Sequence, residues 1–245
     1  MSTSLVTYPA LKAGGHSDEV AIANLGGGRL TRKDLTWVKI PLGGVTRWSW
    51  THGGNEFSEK EITGVVVVAT QEEFNLWPYK VSRAGSQPYL RSLDGIVGYR
   101  VGDDSGELDT SVIEAAKNPD GTYAWEKIPY TRWVDRVPPL AKPSRVIGVL
   151  RAGDTRPVFI QISPTSLNPI RGLLNSLDVP HYRAVVEFGL EKKAGKTADY
   201  SLVTCRYVGT VDQETGDAAR VLNGQLTPVV SGSISHVTVS DVVPF

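Results

Sequence analysis

The sequence predicts a mainly β protein of the α+β class, built as a barrel or a sandwich with one short helix. Two observations support this prediction. Short runs of β-branched and aromatic residues recur along the chain, bounded by Gly, Pro, Asn and Asp. One segment, 167–177, has the three-to-four spacing of apolar residues that an amphipathic helix requires. Strands that do not alternate with helices favour a barrel or sandwich over a parallel α/β sheet.

The N-terminal part of the chain predicts an arm followed by three strands. Residues 1–34 are rich in Gly, Ala and Ser, so we expect a poorly ordered arm there. The segments LTWVKIPLGG (35–44) and VTRWSW (45–50) have strand patterns, the second by alternation. EITGVVVVAT (61–70) carries the continuous β-branched run of a buried central strand.

The middle of the chain, 71–144, is rich in Pro and Gly and also carries several aromatic residues. A long irregular segment inside a compact domain is either functional or disordered. The aromatic content argues against disorder, so we expect this segment to contribute to function.

The C-terminal half predicts a hairpin, the helix and two more strands. Two β-branched runs within 144–163 lie on either side of the turn RAGDTR. After the helix, 181–193 and 199–211 form strands around a Gly-Lys turn. No pattern continues beyond Asp212. The expected organisation is an arm over 1–34, one domain over 35–211 and a tail over 212–245.

The charge and cysteine content limit the classes of function. Lys and Arg together number 26, as do Asp and Glu, so any surface that attracts nucleic acid must be local. The single cysteine, Cys205, excludes an intramolecular disulfide and fits a reducing cytoplasm. The four histidines are far apart, so we expect no metal and no cofactor. We also expect neither a signal peptide nor a membrane span, since the longest apolar run (VVVVA, 65–69) is short.

No motif for catalysis is present in a usable context. The GxSxG, HExxH and P-loop patterns are absent. Cys205 lies within a predicted strand and has no clear histidine partner, which favours a buried small side chain over a nucleophile. We therefore expect the protein not to be an enzyme.

Aromatic residues recur beside Lys and Arg. This pattern suits single-stranded nucleic acid, because bases stack on flat rings while cations contact the phosphates. The candidates for stacking are Trp48, Trp50, Trp77, Tyr79 and Tyr89. The candidates for phosphate contacts are Arg47, Lys80, Arg83, Arg91 and Arg100. A further group of the same kind lies in 128–139, with Tyr130, Arg132, Trp133 and Arg136. The alternative is that the rings are core residues and the arginines their neighbours.

The order of the motifs resembles a family of proteins from phages and integrated mobile elements. The motifs are WSW (48–50), GVVVVA (64–69), NLWPY (75–79), QPYLRSLDGIVG (87–98), ISPTSLNPIRGLLNSL (162–177) and YRAVVEFGLEK (182–192). The resemblance covers 36–210, and its most specific part is PTSLNPIRGLL. It implies a phage-type single-stranded DNA-binding protein on an OB-like β barrel, in the cytoplasm of a bacterial host.

Two features depart from the pattern of that family. Leu90 stands where the family often has Cys, and the cysteine pair usual near 125–140 is missing. If those cysteines bind zinc in relatives, this chain has lost the site.

The C-terminal sequence SDVVPF resembles the tail of bacterial single-stranded DNA-binding proteins at Asp241, Pro244 and Phe245. Such a tail docks its Phe ring in an apolar pocket of a partner, while the carboxylate pairs with a basic residue. The alternative is that SHVTVSDVV forms a last strand of the β domain.

The sequence thus predicts a protein that binds single-stranded DNA without sequence preference during phage or mobile-element replication or recombination. Its expected partners are single-stranded DNA and, through the tail, replication or recombination proteins. Oligomeric state stays open, including a homo-oligomer. The alternative function is that of a phage structural or assembly protein, such as a β domain associated with a tail or capsid.

Overall fold

The structure is a computed structural model that describes residues 29–30, 32–52, 54–79, 88–154, 156–196, 198–231 and 237–238. The chain divides into two compact units: a large unit (1–70 and 146–245) and a small unit (71–145). The predicted mainly β class is confirmed, with mostly antiparallel sheet and few helices. The sequence predicts one domain over 35–211, whereas the structure gives 71–145 a compact unit of its own.

Fourteen strands and three α-helices lie in the described residues. The strands are β1 (Arg29–Leu30), β2 (Thr36–Val38), β3 (Trp48–His52), β4 (Asn55–Glu59), β5 (Ile62–Ala69), β6 (Glu73–Leu76), β7 (Leu90–Ser92), β8 (Val97–Arg100), β9 (Tyr123–Ala124), β10 (Lys142–Arg151), β11 (Val158–Ile162), β12 (Ala184–Lys193), β13 (Tyr200–Thr210) and β14 (Val237–Thr238). The α-helices are α1 (Thr110–Glu114), α2 (Leu167–Ser176) and α3 (Gln213–Ser231). Short 3-10 helices lie at Arg32–Asp34, Trp125–Lys127, Pro129–Thr131, Pro164–Ser166 and His181–Arg183.

The main sheet of the large unit has the strand order β13–β12–β5–β10–β11–β2. The pairs β13–β12, β12–β5 and β5–β10 are antiparallel, and β11 pairs with β2 in parallel. Helix α2 lies in the chain between β11 and β12 and buries Leu167, Ile170 and Leu173 in the core. Strands β3 and β4 pair as a separate hairpin. The predicted helix over 167–177 is confirmed, as are the strands on either side of it.

The prediction of a tail from residue 212 is wrong for 213–231, which form the 19-residue helix α3. This segment contains Gly216, Gly224 and Pro228, residues that disfavour helix. Its stability comes from packing, because Ala219, Leu226 and Val230 lie in the core with strand residues. A weak helical propensity is thus overridden by tertiary contacts.

The two faces of the central strands β10 and β11 pack in different clusters of the large unit. Ile147 and Ile160 belong to the cluster that includes α2. Leu150 and Phe159 belong to the cluster that includes α3. Both faces of these strands are therefore apolar and covered.

The small unit folds around its own sheet and core. Residues 142–144 of β10 pair with β6, followed by β7, β8 and β9, all antiparallel. The core residues of this unit are Leu76, Tyr89, Leu90, Leu108, Ile113, Ala116, Tyr123, Trp125, Ile128 and Ala141. The loop-rich middle of the sequence is therefore ordered by a core of its own.

Most of the predicted arm, including residues 1–28, lies outside the described residues. Strand β1 pairs with β14 in an antiparallel ribbon, with Arg29 opposite Thr238. Val237–Thr238 thus pairs within this ribbon and not in the main sheet.

Candidate nucleic-acid interface

Trp48 and Trp50 lie in the core of the large unit, so the prediction that they stack on bases is wrong for this structure. Trp48 is fully buried, and its indole N–H donates to the carbonyl oxygen of Phe188 at 3.0 Å. Trp50 is buried and stacks on Phe57, with ring centroids 5.2 Å apart. A base needs an open ring face, and these faces are occupied by protein.

Tyr89 is also a core residue, in the small unit. It is 1% exposed, and burial raises the pKa of its hydroxyl. The guanidinium of Arg100 lies 3.9 Å from its ring centroid. Arg100 is exposed but engaged, since its Nε donates to the carbonyl of Gly102 at 2.6 Å and Nη1 lies 3.7 Å from Glu114. The predicted stacking role of Tyr89 is therefore also wrong here.

The other described candidates are partly or fully exposed. Trp77 and Tyr79 are partly buried, and the hydroxyl of Tyr79 donates to Asp104 at 2.8 Å. Arg47 is exposed and donates to the carbonyl oxygen of Ser58 at 2.7 Å. Arg47 belongs to the large unit, whereas Trp77 and Tyr79 belong to the small unit. Lys80, Arg83, Asp241, Pro244 and Phe245 lie outside the described residues.

The most exposed described tryptophan is Trp133, at 68% of its surface. It lies in a small hairpin in which the backbone N–H groups of Val134 and Val137 each donate to the carbonyl of the other, at 3.2 and 2.8 Å. Arg132 and Arg136 are exposed on the same hairpin. We call the segment 132–137 the Trp133 hairpin.

The stem of the Trp133 hairpin is fixed to the core of the small unit. The backbone N–H groups of Leu140 and Ala141 donate to the carbonyl oxygen of Tyr130 at 2.8 and 3.0 Å. The ring of Tyr130 packs against the core cluster, and its hydroxyl accepts from the N–H of Asp109 at 3.0 Å. The exposed tryptophan is therefore presented from a fixed base.

The turn of the Trp133 hairpin contains two non-glycine residues in the left-handed region. Asp135 has φ of 47° and Arg136 has φ of 65°. Two positive φ values suit a type I′ turn, which favours Asn-Gly or Asp-Gly. Arg136 lacks the freedom of the glycine that the turn prefers, so this position stores strain of about 1–3 kcal/mol. Strained turn residues often serve function.

Within the small unit, basic and acidic residues are concentrated in different segments of the chain. Residues 127–145, which contain the Trp133 hairpin, hold five basic residues and one acidic residue, for a net charge of +4. Residues 94–126 hold eight acidic and two basic residues, for a net charge of −6. A protein of zero net charge thus carries a local basic segment around its most exposed tryptophan.

Hydrogen bonds favour the ionised form of four carboxyls in the acidic segment. Backbone N–H groups of Val97 and Ile96 donate to Asp94 and hold the pKa of that carboxyl below its usual value. Side-chain hydroxyl groups act in the same direction at three further carboxyls, lowering the pKa of Asp109 (from Ser111), Glu114 (from Tyr123) and Asp120 (from Thr122). At neutral pH the acidic segment carries negative charge, so phosphates are attracted more strongly to the basic segment than to 94–126 as a whole.

Cys205 lies within β13, and its thiol is partly buried. Burial raises the pKa of the Cys205 thiol to about 11, and its Sγ donates to the carbonyl of Pro169 at 3.3 Å. In the part of the chain that the structure describes, no cluster of His, Cys, Asp or Glu could hold a metal ion. No described helix is long and apolar enough to cross a membrane.

No protein-family model, curated protein or solved structure matches the chain. The geometry of its own residues is therefore what supports a function.

The aromatic–basic pattern in the sequence includes the Trp133 hairpin, but the same pattern also includes tryptophans and a tyrosine that are buried. Tyr130, Arg132, Trp133 and Arg136 share the aromatic–basic pattern of the other candidates. The sequence after Trp133, Val-Asp-Arg-Val-Pro-Pro, is the local feature that distinguishes the exposed group. A turn followed by two prolines cannot continue as a strand of a sheet, so no described strand packs over the ring.

Proposed function

We propose that the protein binds single-stranded DNA without sequence preference, in phage or mobile-element replication or recombination, through the Trp133 hairpin of the small unit. The observation that carries the proposal is an exposed tryptophan between two exposed arginines on a fixed hairpin. The indole offers a stacking face to any base, and the arginines offer cations to phosphates on either side.

The strand order of the large unit supports an OB-like interpretation of that unit. We number five strands of the main sheet by their order in the chain, so that strands one to five are β5, β10, β11, β12 and β13. Their order across the sheet is five–four–one–two–three. Helix α2 lies in the chain between strands three and four. The OB fold is a five-stranded, partly open Greek-key barrel that binds oligonucleotides on strands two and three and on adjacent loops. The small unit is then the insertion between strands one and two.

Strands β10 and β11, which are strands two and three in this numbering, have both faces covered and leave no open face for a nucleic acid in the described part of the chain. Their side chains pack in two apolar clusters, one including α2 and one including α3. Phe159, the aromatic residue of β11, is 1% exposed and unavailable for stacking. We therefore propose that the insertion supplies the contact surface that strands two and three supply in OB folds.

Binding of fluorescein-labelled dT30, followed by anisotropy at low salt, tests this proposal. Trp133→Ala should weaken binding about 5- to 150-fold, because stacking contributes on the order of 1–3 kcal/mol per base. Trp133→Phe should retain part of the affinity. Arg156→Ala is the matched control, since Arg156 is an exposed arginine on a turn of the large unit.

The outcomes separate the candidate functions. If the wild-type protein does not bind dT30 at low salt, the single-strand proposal fails. If that protein instead forms large species without nucleic acid in light scattering, the structural or assembly function takes its place. If Trp133→Ala binds as tightly as wild type, the contact surface is not the Trp133 hairpin.

A further inference from the structure

A cross-strand row of polar and aromatic side chains lies on one face of the small-unit sheet. Lys142 is opposite Asn75, Asn75 is opposite Arg91, and Arg91 is opposite Tyr99. Directly opposite residues of antiparallel strands share a face. We call these four residues, Lys142, Asn75, Arg91 and Tyr99, the polar row. It spans three strand spacings, about 14 Å.

Arg91 is held in place within the polar row. Its Nε donates to Asn75 Oδ1 at 3.1 Å and lies 3.8 Å from the carboxylate of Glu73. Asn75 in turn donates to Glu73 at 3.2 Å and to Ser144 at 3.1 Å. Glu73, Asn75 and Ser144 are buried, so this network fixes the position of the guanidinium.

The fixed guanidinium retains capacity for a ligand. In the described part of the chain its terminal nitrogens make no hydrogen bond, while Nε holds the network. The Arg91 side chain is 17% exposed, and neighbouring Tyr99 is 49% exposed. A positioned arginine beside an open aromatic ring matches one nucleotide, with the phosphate on the guanidinium and the base on the ring.

One end of the polar row is hydrogen-bonded to the segment that directly follows the Trp133 hairpin. Lys142, at one end of the row, donates from Nζ to the carbonyl of Pro139 at 2.9 Å, and Pro139 follows the hairpin by two residues. Lys142 therefore connects the segment after the hairpin to the polar row, and Tyr99 lies at the other end of that row.

We infer that a single strand bound at the Trp133 hairpin continues across the small-unit sheet along the polar row, with Tyr99 as a second base-stacking residue and Arg91 as a phosphate contact. This inference rests on the proposed function and adds a second contact site and a direction to it. It assigns a stacking role to Tyr99. This residue precedes Arg100, a predicted phosphate contact, but is not among the stacking residues predicted from the sequence.

The test measures the affinity of the full chain for oligo(dT) of increasing length, from dT4 to dT30, by anisotropy. Tyr99→Ala should leave the affinity for the shortest oligonucleotides unchanged and weaken binding of dT30 about 5- to 150-fold. Tyr99→Phe, which keeps the ring, should bind like wild type. Tyr207→Ala is the matched control, because Tyr207 is 39% exposed in the large unit.

The variants avoid Arg91, whose removal would leave the buried carboxylate of Glu73 without its cation. Circular dichroism and thermal unfolding of each variant check that the fold is intact. If wild type binds dT30 and Trp133→Ala weakens binding while Tyr99→Ala matches Tyr207→Ala at every length, the polar row is not the path. If wild type does not bind at all, it is the proposed function that fails.

Discussion

The tripeptide Thr-Arg-Trp occurs twice in this chain, at 46–48 in the large unit and at 131–133 in the small unit, with opposite outcomes. Trp48 is fully buried, whereas Trp133 is 68% exposed. After Trp48 the alternation continues as β3, which pairs with β4. After Trp133 a tight turn follows at once. The residues that follow the aromatic–basic pair therefore decide whether the ring stabilises the fold or is left open.

The largest expected effect is on the free energy of unfolding when each of the two tryptophans is replaced separately by alanine. Trp48→Ala should lower the free energy of unfolding by about 3–5 kcal/mol, since it leaves a large cavity and frees the Phe188 carbonyl. Trp133→Ala should change it by no more than about 0.5 kcal/mol. Urea unfolding measures both, and equal destabilisation by the two variants would contradict the assigned environments.

A second contrast concerns helix α3. Leu226→Ala should cost about 2–4 kcal/mol, because Leu226 is buried in the core of the large unit. Gly224→Ala, at an exposed position with open space around its Cα, should be neutral or stabilise by up to about 1 kcal/mol. Chemical unfolding decides the point: if Leu226→Ala has no effect, 213–231 behaves as a tail after all.

Salt dependence sharpens the comparison at the arginines. Replacing Arg132 and Arg136 together by alanine should reduce the slope of log K against log salt by about 1.4, since each phosphate contact on single strands contributes about 0.7. Arg47→Ala in the large unit should leave the slope unchanged. Titrations with dT30 at several salt concentrations provide the measurement, and an unchanged slope in the double variant would place the phosphates elsewhere.

The smallest expected effect lies in the response to acid. Carboxyls with lowered pKa, such as Asp94 and Glu114, lie in the small unit. A lowered folded-state pKa contributes stability above the unfolded-state pKa, near 4, and this contribution is lost as pH falls through the folded-state pKa. The small unit should therefore lose amide protection below about pH 4 before the large unit does.

Hydrogen exchange with mass spectrometry resolves the two units in this experiment. Asp94→Asn removes one of these carboxylates and should flatten the acid response of the small unit. Simultaneous loss of protection in both units at every pH would show that their stabilities do not differ in acid.

The sequence predicts most of the sheet because β-branched runs are strong local signals. β5 and β10 through β13 follow from such runs, and α2 follows from the spacing of its leucines. Helix α3 is missed because its glycines and Pro228 mask a helix that packing stabilises. Local propensity does not contain that tertiary contribution.

The candidate site is harder to predict than the fold. Alternation correctly places Trp48 and Trp50 on one face, but it does not say which face is inside. The polar row depends on pairing among four strands that are distant in sequence, so no local pattern shows it. Only the turn after Trp133 carries a local signal of exposure.

Quenching of intrinsic tryptophan fluorescence by poly(dT) tests the central claim most directly. Wild type should be quenched at low salt and recover at high salt, because an indole stacks on bases held partly by phosphate contacts. Trp133→Phe should bind poly(dT) with much less quenching than wild type, since the tryptophans at positions 48, 50 and 125 are buried and those at 37 and 77 are only partly exposed. Full quenching in Trp133→Phe would contradict the claim that the Trp133 hairpin holds the strand.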